Sequence, residues 1–152
     1  MTHLSVNLNK IALVRNSRNS GIPSVTRAAT ICIDAGADGI TVHPRPDERH
    51  IRRSDVRDLK AMLAVEFNIE GNPLEPAFLD LVLEVRPTQC TLVPDATDQL
   101  TSDHGWNLAT QDHVLQPIIG DLHAYGIRVS LFMDADSAAM PAAKAVGADR
   151  VE

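Results

Sequence analysis

Five short apolar runs in this chain end in a polar or ionisable residue: Asn7, His43, Glu70, Asp134 and Glu152, while a further run leads into Pro94-Asp95. Histidine exchanges protons near neutral pH, and a carboxylate in a partly desolvated setting has its pKa raised into the range useful to a general base. The stretch Thr41-Val42-His43-Pro44-Arg45-Pro46-Asp47-Glu48-Arg49-His50 adds two prolines that stiffen a loop able to aim His43, Arg45 and His50 at one ligand. Upstream, Asn7-Leu8-Asn9-Lys10 and Arg15-Asn16-Ser17-Arg18 place amides and cations after a strand end. A guanidinium presents a rigid fork of donors that matches phosphate oxygens. Read singly, each cluster is also compatible with a solvated loop. A zinc site finds no third ligand at a recognisable spacing. The polar stretch from Leu92 through Thr101 to Trp106 reads as a flap over a ligand or as an ordinary surface loop. No Walker motif, nucleotide-binding glycine loop or nucleophile elbow is present.

The elements that would position these residues alternate between strand and helix. Strands are expected at Leu4–Asn7, Gly39–His43, Val65–Glu70, Cys90–Val93, Arg128–Met133 and from Arg150. Helices are expected from a Ser24 cap to Ala35, after a Ser54 cap, over Pro76–Val85, over most of Asn107–Tyr125 despite Pro117, and over Ser137–Val146. Such alternation favours parallel pairing through βαβ units. Ala35-Gly36-Ala37-Asp38-Gly39-Ile40 is echoed by Val146-Gly147-Ala148-Asp149-Arg150-Val151, as repeated β/α units would produce. The expected fold is α/β, a TIM (β/α)8 barrel of which about the first five to six β/α units are present. A doubly wound sheet is the alternative. In a barrel the strand ends share the C-terminal mouth, where sites are built. Eight strands usually need about 250 residues, so residues 1–152 are expected to form a single, incomplete barrel domain, cut from a longer sequence or shortened by a frameshift or early stop.

Composition narrows the class. The chain has 152 residues, 44% of them hydrophobic and only 3% aromatic, so aliphatic side chains must build the core. A net charge of −6 argues against a general nucleic-acid binder. Residues 1–53 nonetheless carry eight basic residues against four acidic ones, and the remainder six against sixteen. A cationic first third on an acidic chain points to a local anion site. No apolar stretch reaches the roughly 18 residues of a membrane span, and no signal peptide is recognisable. Cys32 and Cys90 stand far apart and are expected to be buried core residues of a reduced, cytoplasmic protein.

The matching stretches, in order along the chain, are Val6-Asn7, Ile11-Ala12, Arg15-Asn16 and Arg18; the block Ala35 to His43 with Arg45 and Arg49-His50-Ile51; Asn68-Ile69-Glu70; Leu92-Val93-Pro94; Thr101; Val129-Ser130-Leu131-Phe132 with Asp134-Ala135-Asp136; and Val146-Gly147-Ala148 with Glu152. Together they resemble the pyridoxine 5′-phosphate synthase family, the ring-closing enzymes of the deoxyxylulose-dependent vitamin B6 pathway. The His-x-Arg-x-x-x-x-His pattern is the most specific part. The resemblance implies a barrel that joins 1-deoxy-D-xylulose 5-phosphate to 3-amino-2-oxopropyl phosphate, giving pyridoxine 5′-phosphate, phosphate and water. It implies a homo-oligomer working without a metal or organic cofactor. It also implies that His43 and Glu70 accept protons and that Glu152 stabilises a transition state. Asn7 and Arg18 would bind the amino-ketone phosphate, and Arg45, His50 and Thr101 the deoxyxylulose phosphate.

Two departures qualify the match. Asn9-Lys10 stands where many family members carry Asp-His, a pair that helps bind the deoxyxylulose phosphate; Lys10 could replace it by contacting phosphate directly. The family's second half, with a proton-donating His and glycine-rich phosphate loops, has no counterpart in residues 1–152, which alone are expected to be inactive. Two other readings compete. One is a different phosphate-binding barrel, such as an isomerase or aldolase, although a Schiff-base aldolase wants a strand-end Lys, and Lys60 and Lys144 fall in helical segments. The other is a partial barrel that only binds or oligomerises.

Overall fold

The computed structural model describes residues 1–18, 20–96 and 99–152. Its core is one sheet of six parallel strands, β1 (Ser5–Asn7), β2 (Gly39–Val42), β3 (Glu66–Gly71), β4 (Gln89–Leu92), β5 (Arg128–Leu131) and β6 (Arg150–Val151), paired in the order of the sequence. A doubly wound sheet reverses its strand order at a switch point. The uninterrupted order from β1 to β6 is that of a curling barrel wall, and the fold is a partial TIM barrel.

Each strand alternates two faces, and both are used. Ile40, Val42, Phe67, Ile69, Cys90, Leu92, Val129 and Leu131 are buried under the helices with Ala12, Ala29, Val56, Leu59, Phe78, Val82, Leu115, Ile119 and Leu122. The opposite face is polar. Ser5 Oγ and Thr41 Oγ1 share a hydrogen bond of 2.8 Å, and Asn68 receives the Thr91 hydroxyl at 3.1 Å. Barrel interiors are usually filled by bulky aliphatics; this one carries a row of hydrogen-bonding side chains with Glu70 above it.

The helices are α1 (Asn9–Asn16), α2 (Val25–Asp34), α3 (Arg53–Met62), α4 (Pro76–Val85), α5 (Leu108–Ala124) and α6 (Met140–Ala145), with a 3₁₀ turn at Ser137–Ala139. Ser24 caps α2 as expected, accepting the Arg27 N–H. Ser54 does not cap α3. The cap position is Arg52, two residues earlier, and Asp55 completes the capping by accepting the Arg52 N–H at 2.8 Å. α5 runs through Pro117, which sits on the exposed side where the carbonyl it leaves unpaired can be hydrated, while Leu115, Ile119 and Leu122 face the sheet. Gly126 and Gly147 follow α5 and α6 with positive φ, the left-handed exit a glycine allows.

α1 is an element the sequence pattern does not announce. It converts the amide and cation cluster from a loop into a helix, with a structural consequence for two of its members. Arg15 is buried and pairs with Asp55 while donating to the His50 carbonyl at 3.1 Å. Asn16 Nδ2 donates to the same carbonyl at 2.8 Å. Both hold the β2–α3 loop in place and are spent on protein partners. Cys90 is buried, but Cys32 is only half-buried at the edge of the core; both are free thiols. Among the described residues no helix is long and apolar enough to cross a membrane.

Candidate active site

The C-terminal ends of the strands surround a cavity of about 340 Å³. β1 delivers Asn7, and the first turn of α1 delivers Asn9 and Lys10. The stiff loop after β2 supplies His43, Arg45 and His50; β3 supplies Glu70. Thr101 comes from the segment after β4, and Glu152 from the end of the edge strand β6. Ladder bonds continue one residue beyond β6, from Glu152 N–H to Leu131 O and from Met133 N–H to Glu152 O, each 2.9 Å, which fixes Glu152 in register with the mouth.

Of the residues assigned to catalysis or substrate binding from the sequence, Arg18 is the one that stands apart. It is exposed in the turn that follows α1 and does not line the cavity. Asp134 also leaves the mouth: β5 ends at Leu131, Phe132 takes the place on the cavity wall, and the Asp134 carboxylate accepts the Gly105 N–H at 3.0 Å beside a separate groove. Sequence reasoning missed Arg49, Ser102 and Phe132 as lining residues. Arg49 was visible within the His43–His50 block. Ser102 carried no signal beyond its place beside Thr101. The polar stretch expected as a flap contributes Leu100, Thr101 and Ser102 to the wall, and its residues 97 and 98 lie outside the described residues.

The amides form a frame. Asn7 Oδ1 accepts the Asn9 N–H at 2.8 Å, Asn9 Oδ1 accepts the His43 N–H at 2.8 Å, and Asn7 Nδ2 reaches Glu70 Oε2 at 3.4 Å. Asn9 therefore helps to hold the backbone of the His43 loop. His50 Nδ1 accepts the Ile51 N–H at 2.9 Å, which leaves Nε2 as the protonated nitrogen of the neutral ring. The His43 and His50 rings meet edge to face, with centroids 6.1 Å apart. Arg45 is buried against Asp95 and the Gln99 carbonyl.

Burial sets the protonation states. Desolvation, then the repulsion of Glu152 and Asp95, lifts the Glu70 pKa to about 8. Desolvation, then Arg45, the neighbouring His50 imidazole and Arg49, pushes His43 down to about 3. His50 is lowered by desolvation and by Arg45 and Arg49, and Glu152 is raised by desolvation. At neutral pH the pocket thus pairs a neutral imidazole with a protonated carboxyl, next to fixed positive charge from Arg45 and Lys10. Glu70, titrating near the working pH with cations in the same cavity, suits proton transfer on an anionic ligand. No cluster of three metal-ligating side chains occurs among the described residues.

A partial TIM barrel with acid–base and cationic groups gathered at the C-terminal mouth has the layout of a barrel enzyme's site. The comparisons agree: the family described as "Pyridoxal phosphate biosynthesis protein PdxJ" matches residues 4–152, and the chain belongs to that family. It is 62% identical over 159 residues to a pyridoxine 5′-phosphate synthase of Albidiferax ferrireducens, with 99% of this chain and 63% of the relative covered. It is 55% identical over 152 residues to that of Porphyromonas gingivalis, covering 100% of this chain and 63% of the relative. With the Xylella fastidiosa protein of the same name it shares 54% over 160 residues, covering 99% and 62%. The chain spans about 63% of the length of the relatives it matches.

Proposed function

We propose that the complete protein condenses 1-deoxy-D-xylulose 5-phosphate with 3-amino-2-oxopropyl phosphate and closes the ring to pyridoxine 5′-phosphate, releasing phosphate and water. Residues 1–152 would supply one wall of its barrel domain. The observation that carries this reading is the contact between His43 and Glu70, 3.9 Å apart, in a cavity that also holds Arg45 and Lys10. Imine formation, dehydration and aromatisation each move protons, so the pocket needs several acid–base groups around one ligand. His43, kept neutral, is a base from the outset. Glu70 accepts protons in its ionised fraction, which grows as pH approaches 8, and returns them when protonated. Glu152 stabilises a transition state on the far wall. Arg45, His50 and Thr101 hold the deoxyxylulose phosphate, with Lys10 adding a point charge and Asn9 setting the His43 loop. Asn7 and Arg18 are assigned to the amino-ketone phosphate. The reaction is redox-neutral and calls for neither a metal nor an organic cofactor. A transferase-type enzyme of this kind, homo-oligomeric and cytoplasmic, is the full proposal. The test is to incubate the complete protein with both substrates and follow pyridoxine 5′-phosphate and phosphate by chromatography. Their absence, with folded protein, overturns it.

A further inference from the structure

Asp95 follows β4 and is buried, its side chain 4% exposed. Its Oδ2 takes two bonds, one from Arg45 Nη2 and one from Ser102 Oγ at 2.6 Å. Its backbone carbonyl accepts Asn72 Nδ2 at 2.9 Å, which ties it to the end of β3. Its Oδ1 is buried with no hydrogen-bond partner among the described residues. A charged group with an idle buried oxygen is costly, and a site that retains one has a use for it. Arg45 in turn donates to the Gln99 carbonyl, so the segment bearing Thr101 is tied to Arg45 from one side and to Asp95, through Ser102, from the other.

A guanidinium carries five N–H donors in a fixed fork. Asp95 and Gln99 engage both terminal nitrogens of Arg45 and thereby set the plane of the fork, while other donors remain for a ligand in the cavity that Arg45 lines. We propose that Asp95 is a positioning residue: it fixes the Arg45 guanidinium and, through Ser102, the Thr101 segment, so that groups from two loops present to one phosphate. This rests on the proposed reading of the cavity as the binding site of the deoxyxylulose phosphate. The competing effect is electrostatic, since a carboxylate beside Arg45 also repels an incoming phosphate. Asp95 does not itself line that cavity; its Oδ2 is committed to Arg45 and Ser102, which stand in the wall, so its charge is offset by Arg45 and orientation outweighs repulsion.

The test uses the complete protein with Asp95→Asn, Asp95→Glu and Ser102→Ala. Hydrogen exchange at the Arg45 Nε–H is followed by NMR without ligand, and calorimetry gives the affinity for each phosphorylated substrate. Asp95→Asn is expected to speed Arg45 exchange and to weaken the deoxyxylulose phosphate about ten-fold, as loss of one charge-assisted contact would, with the amino-ketone phosphate within about two-fold. Asp95→Glu recovers most of the loss, and Ser102→Ala gives a smaller loss in the same direction. Tighter binding by Asp95→Asn, equal weakening of both substrates, or unchanged Arg45 exchange overturns the role of Asp95. Wild-type protein that binds neither substrate overturns the functional reading itself, a result distinct from wild-type binding that Asp95→Asn leaves unaltered.

Discussion

Glu70 Oε2 lies 3.9 Å from His43 Nδ1, and at neutral pH neither group is charged. The geometry is that of an ion pair, but burial opposes charge on both members. Desolvation is the largest influence on each, and the flanking charges reinforce it with opposite sign: carboxylates around Glu70, cations around His43. Separate clusters thus keep a base neutral and an acid protonated within reach of one ligand. His43→Asn and Glu70→Gln are each expected to cut turnover of the complete protein about 100-fold or more, the size expected for lost acid–base catalysis, with unchanged circular dichroism. Near-wild-type turnover in both removes the assigned roles.

Glu152→Gln should move the titration of Glu70. Glu70 is faced by Glu152 from β6, Asp95 from the end of β4, His43 from the end of β2 and the Asn7 amide from β1. Removing one negative neighbour leaves desolvation in force, so the pKa falls below about 8 without reaching its ordinary value. Carboxyl titration by infrared difference spectroscopy reads this directly. A Glu70 pKa that stays put or rises in the variant contradicts the coupling.

Stability should depend on pH through the same residue. The folded-state pKa of Glu70 is raised from 4.5 to about 8, so its favourable contribution is fully present below 4.5 and is lost as pH rises through 8. Glu70→Gln removes that penalty. Urea unfolding is expected to find the variant close to wild type near pH 4.5 and more stable by on the order of a few kcal/mol at pH 9. A variant less stable than wild type at the higher pH would show that ionised Glu70 is better solvated than its burial indicates.

Arg45→Ala and Arg18→Ala separate a positioned cation from an exposed one. Arg45 is buried in the cavity wall, and its loss should weaken the deoxyxylulose phosphate by roughly 1.5–3 kcal/mol. Arg18 stands outside the wall, and its assignment to the amino-ketone phosphate comes from family resemblance. Calorimetry with both substrates decides: unchanged amino-ketone affinity in Arg18→Ala withdraws that assignment and leaves Asn7 with the role.

These outcomes show what a sequence can carry. The strand ends at Asn7, His43, Glu70 and Glu152 were legible because an apolar run stops there at a polar residue, and the parallel order followed from the alternating pattern. Hence nine of the ten residues singled out for the site line one cavity. α1 was illegible because Ala12 and Arg15 are its only buried residues and no side chain caps its start, so no apolar stripe or cap marks it. Asp95 was illegible as a support because its partner Arg45 is fifty residues away in the chain, and only the fold brings them together. Asp134 was misplaced because β5 stops two residues earlier than its apolar pattern, at Leu131 rather than Met133.

The pairing of Arg15 with Asp55 provides the sharpest contrast between a cation that binds ligand and one that builds the site. Arg15 lies in the same cationic third as Arg45, yet its guanidinium is committed to Asp55 and to the His50 carbonyl. Asp55 is itself buried and also caps α3 through the Arg52 N–H. Removing Arg15 leaves a buried carboxylate without its counter-charge, a change that costs roughly 3–5 kcal/mol. It also leaves the carbonyl of His50, whose ring lines the cavity, to the Asn16 amide alone. Arg15→Ala is therefore expected to lower the urea midpoint strongly and to weaken the deoxyxylulose phosphate only through the loosened His50 loop. The double variant Arg15→Met with Asp55→Asn should regain much of the stability, because no uncompensated charge stays buried and Asn keeps an acceptor for the α3 cap. If Arg15→Ala binds less substrate at full wild-type stability, Arg15 belongs to the ligand-binding groups and the structural role given to it here is wrong.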